Sequence, residues 1–534
     1  MLLQHYSYLS MLQIIRCAIQ FPVIQILTFA GLFYVSTLQA QQAKKEPVEI
    51  LNTDVLTIFQ GDSGEVRQLT GNVQFRQDSV LMFCDSALHY PTLNFLEAHS
   101  RVKIVISDTT VITGDELNYD GETKIADLFR NVVMKDGKMT LTTQRLTYYR
   151  NSGIAVYPQK GKLVDGENVL ISETGFYHTD EAKAYFRRKV VLTNPEFRLE
   201  TDTLAYHTES KTAFFMDTTY IYTQKDTLYT RDGWYDTRAR YAELYNRSWM
   251  RDSTHQITAD TLKFDEHYQF GEGIGAVEMM QKDSSATIYG GCAEMLKRQG
   301  KSLVYAEPWM VYKMEEDTLH ITARLFIGTH DSITDSSKVI VLGNVKIVMR
   351  NLQGICDSLC YIDGDSVIEM MQDPVLWSEE NQMSGDTIRI WMKNETADSM
   401  RVLQKCFLIS QEDTVGFNQV KGRQIYGKFR DEAIYRMLIS GNAESVYFSK
   451  NDEKNTYEGL NKSLSNDMLM YFGDNKPVRI TFITKPEGEF IPMFEVIDEP
   501  VILDDFRWRP EDRPEHNQVL SILPWLEAKK YLRP

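Results

Sequence analysis

Ser63 stands in the run Gly61-Asp62-Ser63-Gly64-Glu65, close to the setting in which serine proteases present their nucleophile. Such a serine works only beside a histidine base that an acid orients. Here Glu65 takes the place of the last glycine, and the one histidine upstream is His5, inside an apolar leader. The order of groups is broken, so Ser63 reads as a turn residue. The ten histidines show no HExxH spacing and no paired-cysteine motif, which leaves a zinc site unsupported. No GxGxxG or GxxxxGKS/T run is present to cradle a phosphate. Aspartates and glutamates are plentiful at turns. They leave a carboxylate pair for glycoside chemistry open, but their return at equivalent positions favours turn capping. No cofactor or metal is expected.

Beyond the leader lie Cys84, Cys292, Cys356, Cys360 and Cys406. An odd and sparse set is no disulfide framework. Cys356 and Cys360 share a face if helical, but on an extended strand they stand about 13 Å apart, too far to bridge. They read as small buried apolar residues. Arg187, Arg188 and Lys189 form the densest basic cluster, either a solvated turn or a contact for phosphate groups.

The elements that position these groups follow from composition and pattern. A chain of 534 residues without a Gly/Ser linker favours a repetitive, elongated architecture over one ordinary domain. The apolar fraction of 43% is enough to bury a core, and the many Tyr and Phe residues favour strands. A formal net charge of -16 argues against nucleic acid as a partner. Residues 1–40 differ from the rest: Arg16 precedes the apolar run 21–38, which predicts an export signal cut after Ala40 or retained as an N-terminal anchor. Cys17 follows Arg16, where a lipoprotein signal requires a small residue.

From residue 84 a polar start followed by alternating apolar residues returns at a fixed period. It reads CDSALHY from Cys84, GDELNYD from Gly114, TQRLTYY from Thr143, SETGFYH from Ser172, TDTLAYH from Thr201, RDGWYDT from Arg231 and ADTLKFD from Ala259. These starts lie 28 to 30 residues apart, and CDSLCYI at Cys356 and GDTIRIW at Gly385 resume the series 29 apart. Between the starts lies a second theme: GNVQF at Gly71, SRVKI at Ser100, RNVVM at Arg130, RKVVL at Arg188, GAVEM at Gly275, GNVKI at Gly343 and DPVLW at Asp373. Apolar residues two apart, such as Leu117 with Tyr119 and Val132 with Met134, share one side of a strand. Each repeat of about 29 residues is thus a strand pair, expected to add one strand to each of two sheets, and the chain is all-β. A parallel β-helix would call for small-residue or Asn ladders. Their lack points instead to an elongated, repetitive β-jellyroll with a continuous apolar interior.

An export signal followed by tandem strand pairs of this kind resembles the OstA-like (LptA-like) family, most clearly over roughly residues 50 to 280 and again from about 338 to 450. That family includes a periplasmic lipopolysaccharide-transport bridge protein and the N-terminal domain of the outer-membrane lipopolysaccharide translocon. The resemblance implies a non-enzymatic carrier whose jellyroll groove shelters lipid A acyl chains, with edge strands joining other transport proteins by β-augmentation. It places the chain in the periplasm, in association with the outer membrane. The chain is longer than a single bridge subunit and has no long run of membrane-barrel strands. A carrier of this kind makes physical sense, because each CH₂ exposed to water costs about 0.8 kcal/mol.

The inward members of the repeats are the candidate lipid contacts: Val73, Phe75, Val102, Ile104, Val132, Met134, Val190, Leu192, Val277, Met279, Val345 and Ile347. Any β-sandwich needs apolar residues at these same positions. The polar stretch 328–338 predicts a boundary between a jellyroll over 48–330 and a second jellyroll segment over 338–450. Residues 451–534 read as a Pro-rich cap or docking tail with Trp508 and Trp525 as its anchors. The alternative to a carrier is an exported structural or adhesive β-repeat protein that binds glycan or protein on its outer face, with a polysaccharide-degrading enzyme a distant third.

Overall fold

Gly64–Gln77, Val80–Tyr90, Phe95–Val105, Thr110–Asp120, Ile125–Asp136 and Met139–Tyr149 are long strands, and none runs straight. They belong to a computed structural model that describes residues 46–515, apart from residues 63, 253–254, 283–284, 315–316, 332, 334–335, 363, 394–395, 413–415, 432, 452–455, 474–475 and 497–500. The leader and Trp525 lie outside the described residues. Pairing of neighbours breaks register at mid-strand every time, between Thr70 and Val73, Phe83 and Ser86, His99 and Val102, Thr113 and Glu116, and Phe129 and Val132. At every second strand the break holds two successive left-handed residues: Gly71-Asn72, Ser100-Arg101, Arg130-Asn131. Gln372-Asp373, Gln404-Lys405 and Gly441-Asn442 repeat the device.

The first three pairs open copies of the second sequence theme, and all turn the strand out of one sheet into another. Left-handed backbone costs a non-glycine residue about 1–2 kcal/mol. An acid beside the bend offsets part of that cost, from the first theme in every case below except Asp54. Asn72 donates to Asp54 at 2.9 Å, Ser100 to Asp85 at 2.5 Å, Asn131 to Asp115 at 2.8 Å and Asn246 to Asp232 at 3.1 Å. Lys189 does the same with Glu173 at 2.6 Å. At Gly71 a glycine is required twice over: its φ is +82°, and an added Cβ would sit 2.3 Å from the Asp54 carboxylate.

The bends divide the strands between two antiparallel sheets. The first takes 64–70, 86–90, 95–99, 116–120, 125–129 and 145–149; the second takes 73–77, 80–84, 102–105, 110–114, 132–136 and 139–143. Past residue 149 some strands separate at the bend into two short ones. Ile154–Tyr157 and Thr174–His178 continue the first sheet, while Gly161–Asp165 and Asn168–Ser172 continue the second. Both ladders run on to Lys476–Ile483 and Glu487–Pro492. One repeat crosses from first sheet to second and back. It therefore adds two strand segments to each sheet, not the one expected from sequence, because both of its strands are bent. At ~4.8 Å per strand, a repeat advances the ladder by about 10 Å.

Alternation does the rest. Leu96 and Ala98 in one half of a strand, and Val102 and Ile104 in the other, all face the space between the sheets and are buried. One apolar cluster runs from Val48 to Met470. Within the polar stretch 328–338, Leu325–Asp331 pairs with Ser336–Val348 as far as Asp331 beside Ser336, so the ladder passes through it. From Pro47 on, the described residues form one unit.

After the one-turn helix Met493–Val496, residues 501–513 lie on the outer face of the second sheet. Phe407 and Ile409 alternate with the inward Cys406 and so face out, where Val446, Phe448 and Leu460 join them beneath Leu503 and Phe506. Trp508 packs 5.3 Å from Phe417. Two outward glutamines hold the segment's backbone. Gln419 donates to Val501 O at 3.0 Å and accepts from Leu503 N at 2.9 Å. Gln382 donates to Arg507 O at 2.6 Å and accepts from Arg509 N at 2.8 Å.

Candidate functional site

The twelve inward residues named from the sequence all face the space between the sheets. Val73, Phe75, Val102, Ile104, Val132, Met134, Val190, Leu192, Val277, Val345 and Ile347 are 0 to 6% exposed and belong to the one continuous cluster. Met279 differs: it is half-buried and packs against that cluster from its margin. Up to about residue 275 the interior is filled by the protein's own side chains, as close-packed cores are.

Met279 begins a different zone. Among the described residues, the half-buried apolar ones packed on the cluster before it are Ile50 and Ile106; those after it include Ile288, Met295, Met310, Leu319, Val339, Ile368 and Ile390. They form two cross-strand rows. In the second sheet Met279 lies beside Ile288, Ile288 beside Met310 and Met310 beside Ile321. In the first sheet Val339 lies beside Tyr361, Tyr361 beside Ile368 and Ile368 beside Ile390. Their uncovered apolar surface, at about 25 cal/mol per Å², is a standing driving force for an apolar ligand. Unbranched methionines let such a wall adapt to it. The sequence named Met279 but not the rows beyond it. The signal present was the recurrence of methionines, Met279, Met295 and Met310, between the theme copies at Ala259 and Cys356.

Before that zone, the long side opposite the bends is bridged. There the hairpins of the two sheets face each other, and side chains span the gap. Asp78, at the second sheet's margin, takes Lys124 at 2.7 Å and Arg150 at 3.1 Å from the first. Arg150 also donates to Gln77 at 3.0 Å and to Tyr119 at 2.6 Å. Asp136 accepts from Tyr177 at 2.8 Å; Asp165 accepts from Tyr206 at 3.0 Å and from Lys211 at 2.5 Å. Arg240 meets Glu196, and Lys297 reaches Asp226 at 2.9 Å. The Lys124 hydrogen bond holds the Asp78 carboxyl below the usual carboxylate range, whereas burial pushes the Tyr119, Tyr177 and Tyr206 phenols up.

The other groups singled out from the sequence lie apart from this interior. Arg188 and Lys189 are the left-handed pair of a bend, with Lys189 paired to Glu173. Cys356 and Cys360 lie on one strand, Gln353–Ile362, as free thiols, and burial pushes Cys356 up to about 12. Cys84 and Cys406 are raised to about 12 by the same cause. Among the described residues no three His, Cys, Asp or Glu side chains gather to hold a metal ion. Among them, too, no helix is long and apolar enough to cross a membrane.

Fold and interior together define an all-β repeat protein of two facing antiparallel sheets with an apolar space between them. Over residues 45–202 the chain matches the OstA-like protein family. No curated protein matches it. Among solved structures, LptH, the LptA-homologous periplasmic component of the lipopolysaccharide transport device of Pseudomonas aeruginosa, is 12% identical, covering 26% of this chain and 93% of that one with a TM-score of 0.21. The extracellular domain of the hybrid two-component system BT4673 from B. thetaiotaomicron is 8% identical, covering 84% of this chain and 98% of that one with a TM-score of 0.09.

Proposed function

We propose that the protein is a non-enzymatic carrier of lipopolysaccharide in outer-membrane assembly, exported to the periplasm, which shelters acyl chains between its two sheets. The observation that carries this reading is the pair of half-buried apolar rows, Met279–Ile288–Met310 and Val339–Ile368–Ile390, inside a fold whose first repeats are OstA-like. The acyl chains lie against these rows first. The buried candidates from Val73 to Val277 make contact once the interior admits lipid, and Val345 and Ile347 form the floor beneath the rows. Both ends of the ladder have strands paired on one side only, suited to joining other transport proteins by β-augmentation. Val55–Gly61 is such a strand, with Val55, Leu56, Ile58 and Phe59 exposed.

A photo-crosslinking side chain at Met310 or Ile390 is expected to capture lipopolysaccharide in cells, while the same group at outward Lys135 captures none. Adducts at Lys135 and none at the inner positions would sink the carrier reading. The second reading, an adhesive protein that binds glycan, has one observation in its favour. An aromatic ladder on the outer face of the second sheet sets Tyr229 5.5 Å from Trp249 and Tyr220 5.3 Å from Tyr229. Glycan binding that vanishes in Trp249→Ala and Tyr229→Ala would favour it.

A further inference from the structure

The two long sides of the interior are closed in unlike ways. On the bend side every strand that crosses is continuous backbone. On the other side, from Asp78 to Lys297, each bridge among those described above includes a side chain: Asp78 with Lys124 and Arg150, Asp165 with Lys211, Glu196 with Arg240, Asp226 with Lys297. Of these pairs Arg240 with Glu196 is half-exposed and weak, while Asp165 and Asp226 are buried and hold more firmly, yet all are side-chain contacts, whereas parting the bends would require tearing the ladders themselves. Behind this seam the interior is full, with Phe75, Leu96, Leu128 and Met134 all at 0% exposure. The half-buried rows begin at Met279, where the bridged stretch ends.

We propose that this seam is a lateral gate: its bridges part along their length so that the strands of each sheet up to Ala286–Leu296 spread and admit acyl chains from the open zone. The inference rests on the carrier reading. Parting exposes carboxylates and ammonium groups that water solvates readily, while the newly uncovered apolar walls are covered by the arriving chains. The gate thus opens at less cost with lipid present than without it, because the bared apolar wall is then left uncompensated. The periodic placement of the bridges, one or two per repeat, lets opening travel along the seam instead of requiring all pairs to break together.

The test clamps the seam. In the full chain, Asp78→Cys with Lys124→Cys, and Glu196→Cys with Arg240→Cys, are joined by a short bis-maleimide; the wild-type protein treated with the same reagent is the control. Photo-crosslinking groups report at Met134, behind the seam, and at Met310, in the open zone. Clamping is expected to lower lipopolysaccharide capture at Met134 at least tenfold and to leave capture at Met310 unchanged. The uncharged pair Asp78→Asn with Lys124→Met is expected to raise capture at Met134 severalfold, which a merely damaged fold would not do. Undiminished capture at Met134 in the clamped protein overturns the gate, as does capture at Met310 without any at Met134 in the unclamped one; in both cases the carrier stands. Absence of capture at both positions in the unclamped protein removes the carrier, and the gate with it.

Discussion

Asn131, at φ +48°, gives its side-chain amide to the Asp115 carboxylate 2.8 Å away, and this one bond joins the two recurring themes of the sequence. The bend needs a left-handed residue, and Asn tolerates that conformation better than most. Asn131→Gly is therefore expected to leave stability within a few tenths of a kcal/mol, losing a bond but gaining conformational freedom. Asn131→Val should cost about 1–2 kcal/mol, because a β-branched residue resists positive φ. Urea denaturation midpoints decide it: a valine variant as stable as wild type would mean the bend is not a left-handed corner.

His89 faces the interior 5.9 Å from the Phe75 ring, and burial first, then the nearby Arg67 charge, lowers its pKa from the usual 6.5 to about 4. Between these two values the unfolded chain binds a proton that the folded chain does not. The stability His89 contributes is thus fully present above pH 6.5 and is lost as pH falls toward 4. His89→Phe should flatten the decline in the urea midpoint between pH 7.5 and 5. An unchanged decline would show that His89 is free to charge in the folded state.

Gln382 replaces a backbone partner for residues 507–509, and its Oε1 also takes the Trp377 indole at 3.2 Å. Gln382→Leu leaves buried backbone groups without partners, at about 1–3 kcal/mol. The segment 501–513 should then be cut sooner by a dilute protease, and Trp377, now 1% exposed, should show a red-shifted emission. Protection equal to wild type would place the segment's anchorage elsewhere, in the Phe417 and Trp508 contact.

How far the fold could be read from the sequence depended on how local the cause was. Strand pairs were legible because Leu117 with Tyr119 and Val132 with Met134 need only alternation. Residues 130–131 opened a recognisable theme, yet nothing in Arg-Asn alone announces a bend, so two bent strands per repeat passed for one flat strand per sheet. The buried set from Val73 to Val277 was visible as a core pattern. Which part of the interior is filled and which is half open was not, since that depends on partners such as Lys211 and Asp165, 46 residues apart. The tail's aromatic anchor at Trp508 could be named, but its landing place on Phe417 is a tertiary fact.

Because a repeat leaves the first sheet, crosses to the second and returns, it begins and ends on the same ladder. Removing or duplicating one whole repeat would restore every register on both sides of the splice, whereas removing a single strand would leave the chain in the wrong sheet. Length is therefore quantised: such a protein can be lengthened or shortened in nature or in the laboratory only by whole numbers of its 29-residue unit, each step changing the extent of the apolar interior without redesigning the cross-section that encloses it.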